Sequence, residues 1–133
     1  MSDTFHVCVV DDDLATRRLM ELTVGRAWGH TVQLFENGDR FVENFPDDPG
    51  VVLLDIMMGG MSGVEVLKVI KERSPSTPVI MLSAQGNINV AVETMRLGAE
   101  DYFPKPVDFN RLRFALDKAV RMQQLEARVQ SYE

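Results

Sequence analysis

The sequence predicts an α/β fold, a doubly wound open sheet of five parallel strands alternating with five helices. Three observations predict it. The apolar runs are short and valine-rich, as expected of strands buried on both faces of a parallel sheet. A helical pattern lies between each run and the next, the mark of βα units joined by right-handed crossovers. The chain has 133 residues, which suits one domain with a real core.

Phe5–Val10 is the first run, broken by Asp11 and too short for a helix. Ala15–Trp28 follows with Leu19, Leu22, Thr23 and Arg26 at helical spacing, and Gly25 or Gly29 could end it. Thr31–Phe35 is a weaker strand, expected near an edge. Gly38–Phe45 places Phe41, Val42 and Phe45 on one helical face and stops before Pro46. Val51–Leu54 is the third strand. Gly63–Arg73 carries Val66, Leu67 and Ile70 and meets Ser74-Pro75, a natural terminator. Val79–Leu82 is the fourth strand. Asn87–Leu97 has Val90, Ala91, Thr94 and Met95, with Gly98 in the position that closes a helix. Tyr102–Phe103 is the second weak, edge-type strand. Asp108 is a plausible cap for a last helix whose inner face is Leu112, Ala115, Leu116, Ala119 and Val120.

Composition narrows the function. Apolar residues make up 45% of the chain and charged residues 26%, an ordinary globular balance. The formal charge of −6 argues against direct binding to nucleic acid or anionic lipid, which want a basic face. No run reaches the ~18 apolar residues that span a bilayer, so no membrane partner is expected and the cytoplasm is the default compartment. The single cysteine, Cys8, lies inside Val7-Cys8-Val9-Val10 and reads as a small core residue. His6 and His30 form no zinc-type cluster.

The informative polar residues fall at strand ends. Asp11-Asp12-Asp13 follows the first strand, Asp55 the third, Ser83 ends the fourth and Lys105 follows the fifth. Parallel strands place all their C-termini on one edge, where ligands of such sheets bind. Two unit charges about 5 Å apart at an effective dielectric near 20 repel by roughly 3 kcal/mol. Asp11, Asp12 and Asp55 with only Lys105 for balance therefore call for a divalent cation. An all-oxygen donor set favours Mg²⁺ over zinc. A carboxylate surrounded by Mg²⁺, an ammonium and a hydroxyl is equipped to take a phosphoryl group, because those groups stabilise charge on its equatorial oxygens. Ala84, after Ser83, leaves room for entry. Taken singly, each residue has a bland alternative: helix capping for Asp11–Asp13, a loop position for Asp55. Their joint placement at four strand ends is the signal.

The strings Val9-Val10-Asp11-Asp12-Asp13, Leu53-Leu54-Asp55-Ile56-Met57-Met58 with Met61-Ser62-Gly63, Met81-Leu82-Ser83-Ala84 and Asp101-Tyr102-Phe103-Pro104-Lys105-Pro106 resemble the receiver domain of bacterial two-component response regulators. The resemblance runs from about Phe5 to Met122. It implies the flavodoxin-like strand order 2-1-3-4-5 and a receiver domain over residues 1–122. It implies further that Asp55 accepts phosphate from a sensor histidine kinase. Asp12, Asp55 and the backbone carbonyl of Met57 would bind Mg²⁺ directly, with Asp11 acting mainly through water. Lys105 would contact the phosphoryl group through a loop with a cis Lys105-Pro106 bond, and Ser83 with Tyr102 would form the switch pair. Met57 and Gln85 stand where relatives tune the lifetime of the phosphorylated state. An apolar Met57 cannot orient a hydrolytic water, which implies a lifetime that is not especially short. Gly59-Gly60 departs from relatives that have proline at the first of these positions, and a looser loop is expected.

The surface expected to respond is the helix Asn87–Leu97, the strand near Tyr102 and the final helix, which would pair two receivers or dock an output domain. Residues 123–133 extend past the family's usual end. Leu116, Val120, Met122, Leu125 and Val129 could carry the last helix into a coiled-coil linker, a second route to a homodimer. Gly86-Asn87-Ile88 and Met95-Arg96-Leu97-Gly98-Ala99 are most similar to receivers of nitrogen-regulation-type transcription activators. Alternatives are a stand-alone receiver or phosphorelay adaptor, and a Mg²⁺-dependent aspartyl-phosphate phosphatase. The latter enzymes place a second acid two residues after the nucleophile, where this chain has Met57. A flavodoxin-like electron carrier is disfavoured because three aspartates after the first strand would repel its cofactor's phosphate.

Overall fold

A computed structural model of the chain describes residues 4–84 and 88–131, with side chains through residue 126. The elements in order are β1 (His6–Val10), α1 (Leu14–Met20), a π-helical continuation (Glu21–Ala27), β2 (Thr31–Phe35), α2 (Gly38–Glu43), β3 (Val51–Asp55), α3 (Gly63–Arg73), β4 (Val79–Ser83), α4 (Ile88–Arg96), β5 (Asp101–Pro104) and α5 (Phe109–Ser131). Among the described residues the five strands form one parallel sheet in the order β2-β1-β3-β4-β5. The order reverses between β1 and β3, and that is where the crevice opens.

The period of two along each strand divides the interior into two cores. Cys8, Val10, Val52, Leu54, Val79 and Met81 face one way and pack under α2, α3 and α4, with Phe41, Val66, Leu67 and Ile70. Val7, Val9, Val51, Leu53, Ile80 and Leu82 face the other way, against Met20 and Val24 of the first helical segment and Leu112 and Leu116 of α5. All residues of β3 and β4 are buried, whereas the edge strands β2 and β5 alternate or stay half-open. Cys8 is part of the core, and burial, with the nearby Asp48 charge adding, pushes its thiol up to about 12. It is an inert packing residue at neutral pH.

Two sequence expectations are corrected. Residues 14–27 do not bury Leu19 and Leu22, which are about half exposed; Met20 and Val24 face the core. Both stripes satisfy a helical repeat, and the widened turns decide between them. The Trp28 N–H donates to Thr23 O five residues back at 3.0 Å, and this π-type winding keeps Met20, Val24 and the half-buried Trp28 against the same core. Gly25 lies inside the segment, and Gly29, at φ +82°, lies just past its end. In α4, Met95 points outward and is 46% exposed, while Thr94 is the buried residue, its hydroxyl donating to Ala91 O at 2.9 Å.

Local chemistry fixes the helix starts that frame the crevice. Asp13 caps α1, its carboxylate accepting the Thr16 N–H and hydroxyl. Ser62 and Glu65 form a reciprocal capping box at α3. Asp108 accepts the Asn110 and Arg111 N–H groups at the start of α5. Gly63 opens α3 hard against the end of β3. Its N–H donates to Ile56 O at 2.9 Å, and a Cβ there would meet the Asp55 carbonyl and stand 2.7 Å from Ile56 Cα. Gly63→Ala is therefore expected to cost roughly 1–3 kcal/mol in urea unfolding. Gly59→Ala, with nothing within 4 Å of its Cβ position, should stay within about 0.5 kcal/mol of the parent.

Candidate functional site

The ends of β1 and β3 place Asp11, Asp12 and Asp55 together, with one carboxylate oxygen from each lying within 4.8 Å of the others. Asp11 is fully buried and Asp55 is 3% exposed, whereas Asp12 is open to solvent. The buried pair exists because the sheet ladder runs to its rim. Asp11 N–H donates to Phe35 O at 3.2 Å and Ile56 N–H to Leu82 O at 3.0 Å, so the backbone on both sides of the crevice is held by neighbouring strands.

Lys105 reaches in from the loop after β5. Its Nζ donates to Asp11 Oδ2 at 2.7 Å and lies 3.5 Å from Asp55 Oδ2. The loop is anchored by the Lys105 N–H on Ser83 O at 2.7 Å, and the Lys105-Pro106 bond is cis. Burial works against the ammonium, but the hydrogen bond and charge of Asp11 and the charge of Asp55 outweigh it and hold Lys105 above the usual lysine range. Ser83, at the end of β4, is buried at the same rim.

Asp55 is raised from its ordinary value to about 6, first by burial and then by the Asp11 charge; Lys105 and the Met57 N–H pull the other way, and Asp12 adds to the rise. A second cation beside the three carboxylates would reverse that penalty. The donor set is hard oxygen throughout, with no imidazole or thiolate in the cluster, so it fits Mg²⁺. Asp11 has both carboxylate oxygens engaged, Oδ1 by the Asp13 N–H at 2.9 Å and Oδ2 by Lys105. Asp12 is exposed, and among the described residues its Oδ2 accepts a single long bond, from the Gly59 N–H at 3.4 Å, which leaves it free to turn toward a cation.

The remaining expected residues sit around this centre. Met57 is 60% exposed, on the loop after Asp55. Tyr102 is half-buried on β5 and packs against the same core as Val90 and Leu97. Gln85 lies outside the described residues. Two participants were not expected from sequence. Asp39 accepts the Met61 N–H at 3.3 Å and lies against Gly60, tying the loop after β3 to α2. Arg17 donates from Nη1 to the Asp11 carbonyl at 2.7 Å. No residue pattern signals a side-chain bond to a backbone carbonyl, so nothing in the sequence singled out Arg17.

Residues 7–117 match the family described as the response regulator receiver domain. The chain is 38% identical over 115 residues to the transcriptional regulatory protein ZraR of Klebsiella oxytoca, covering 86% of this chain and 26% of that protein. It is 40% identical over 115 residues to the DNA-binding transcriptional regulator NtrC of Escherichia coli (strain K12), covering 86% of this chain and 24% of that one. A crystal structure of NtrX from Brucella abortus superposes with a TM-score of 0.87 at 30% identity, covering 96% of this chain and 29% of the other. The chain thus spans about a quarter of the length of these relatives.

The raised Asp55 carboxyl sets a stability test. A folded-state value above the unfolded one stabilises the fold below about pH 4, and that contribution is lost as pH rises through about 6. At pH 7.5 in EDTA the fold carries the full cost of the ionised group. Asp55→Asn should then raise unfolding stability by roughly 1–3 kcal/mol. The gain should vanish toward pH 4, as read from urea titrations at several pH values.

Proposed function

The chain belongs to the response regulator receiver family, and from that premise we propose that it is a phosphoryl-accepting switch whose acceptor is Asp55. The observation that carries this reading is Lys105 Nζ lying between Asp11 and Asp55, in a crevice where Asp12 completes a three-carboxylate set. A structural salt bridge needs one acid per lysine. Three acids at one rim, two of them buried and Asp55 raised to about 6, make a group held ready to react with an electrophile.

An Asp55 oxygen attacks the phosphorus of a phosphohistidine on a sensor kinase. The new P–O bond forms as the P–N bond breaks, and the departing imidazole keeps the electron pair and takes up a proton. Mg²⁺, held by Asp12, Asp55 and the Met57 carbonyl with Asp11 acting through water, would supply Lewis-acid stabilisation of the phosphoryl oxygens. Lys105 is 3.5 Å from Asp55 already, so it can turn from Asp11 to a phosphoryl oxygen with little movement of its anchored loop. The Ser83 hydroxyl, at the end of the adjacent strand, donates to another oxygen.

Phosphorylation adds about −1.5 to −2 charges at Asp55. Drawing Ser83 and Lys105 inward displaces the ends of β4 and β5, and Tyr102 on β5 follows. The face that reads this change is α4, β5 and α5, where Ile88, Val92, Met95 and Phe114 are exposed apolar residues. That face, or the last turns of α5 up to Ser131, serves a homodimer or docks an output domain, and the transcriptional relatives favour gene regulation in the cytoplasm as the output. Met57, on the loop after the acceptor, is a lifetime-setting position, and the family resemblance gives Gln85 the same role.

Acetyl phosphate with Mg²⁺ should load one phosphoryl group per chain by intact mass, with none in EDTA and none in Asp55→Ala. Lys105→Ala should slow loading by about a hundredfold. Continuous phosphate release without stable label would identify a phosphatase instead, and an unlabelled wild type would contradict the proposal.

A further inference from the structure

Arg17 is a charged residue at the crevice to which the reading above gives no part. Its guanidinium is half-buried and donates to the Asp11 carbonyl at 2.7 Å, six residues back along the chain. Its neighbour Arg18 is exposed. The contact ties the fourth residue of α1 back to the residue that follows β1.

The Asp11 carbonyl and the Asp12 N–H belong to one rigid peptide plane. The plane hinges the two acidic residues, one on each side. The other groups of Asp11 are already fixed: its N–H on Phe35 O at 3.2 Å, Oδ1 by the Asp13 N–H at 2.9 Å and Oδ2 by Lys105 at 2.7 Å. Without Arg17 the carbonyl would be the one polar group of Asp11 with no bond among the described residues, and the plane could rock. Rocking turns the exposed Asp12 carboxylate, whose own tether to the Gly59 N–H is 3.4 Å long.

We propose that Arg17 is a positioning residue that sets the aim of Asp12 toward the cation by clamping the peptide between the two aspartates. This rests on the metal reading given above. It also makes a prediction opposite to simple electrostatics. A guanidinium beside the acids repels a divalent cation, so by charge alone its removal would tighten binding. Loss of a positioning hydrogen bond weakens it, by about tenfold.

The test is Mg²⁺ titration of the full chain by calorimetry, with thermal unfolding in EDTA measured alongside. Arg17→Ala should bind Mg²⁺ about tenfold more weakly, while its midpoint in EDTA stays within a few degrees of the parent. Arg17→Lys keeps the charge and one donor but not the planar fork; it should recover part of the affinity and covers the case in which the alanine variant is poorly folded. Equal or tighter Mg²⁺ binding by Arg17→Ala overturns the proposal, as does a fall in affinity matched by an equal fall of both variants in EDTA stability. A wild type that takes up no Mg²⁺ overturns the metal reading itself, a result distinct from either.

Discussion

Everything in this molecule depends on one electrostatic constraint: two carboxylates buried at the rim of a parallel sheet, with a third beside them and one lysine to balance the set. Burial makes the arrangement costly, and Asp55 shows the cost in a value raised to about 6. The fold tolerates it because neighbouring strands hold the backbone on both sides of the crevice and β3 and β4 are wholly buried. The cost is also what gives the site its chemistry. A crevice short of positive charge is suited to a divalent cation and, on the proposed reading, through that cation to a phosphoryl group.

The two-sided core explains how a change at the rim reaches a surface. Side chains of β4 alternate between the core under α2–α4 and the core under α1 and α5, so a shift at Ser83 bears on both. β5 is the edge strand next to it, paired through Ser83 with Pro104 and Met81 with Tyr102. An edge strand has one hydrogen-bonded neighbour and moves more cheaply than a central one. The proposed responsive face lies on that side, where Phe114 and the exposed side of α4 lie open.

The strands were legible in the sequence because burial on both faces leaves a continuous apolar run, and Val51–Leu54 or Val79–Leu82 can be little else. The site was legible for the same reason: Asp11, Asp55 and Ser83 interrupt or end such runs, and a parallel sheet sends all those ends to one edge. What sequence does not carry is the phase of a helix with apolar residues on several sides. Leu19 and Leu22 were as apolar as Met20 and Val24, and the π-type winding settled which pair is buried. Contacts to backbone were also invisible. The Arg17 bond to a carbonyl and the pressure of Gly63 on the end of β3 follow from the path of the chain, which no residue pattern encodes.

The most direct test of the central constraint is to map where a divalent cation sits. Mn²⁺ shares the oxygen-ligand preference of Mg²⁺ and broadens the NMR signals of nearby amides. Titrated into the labelled chain, it should first erase the amides of residues 10–13, 55–59, 83–84 and 105, with Mg²⁺ restoring them by competition. Broadening centred elsewhere, or loss of signal spread evenly over the acidic surface, would contradict the account.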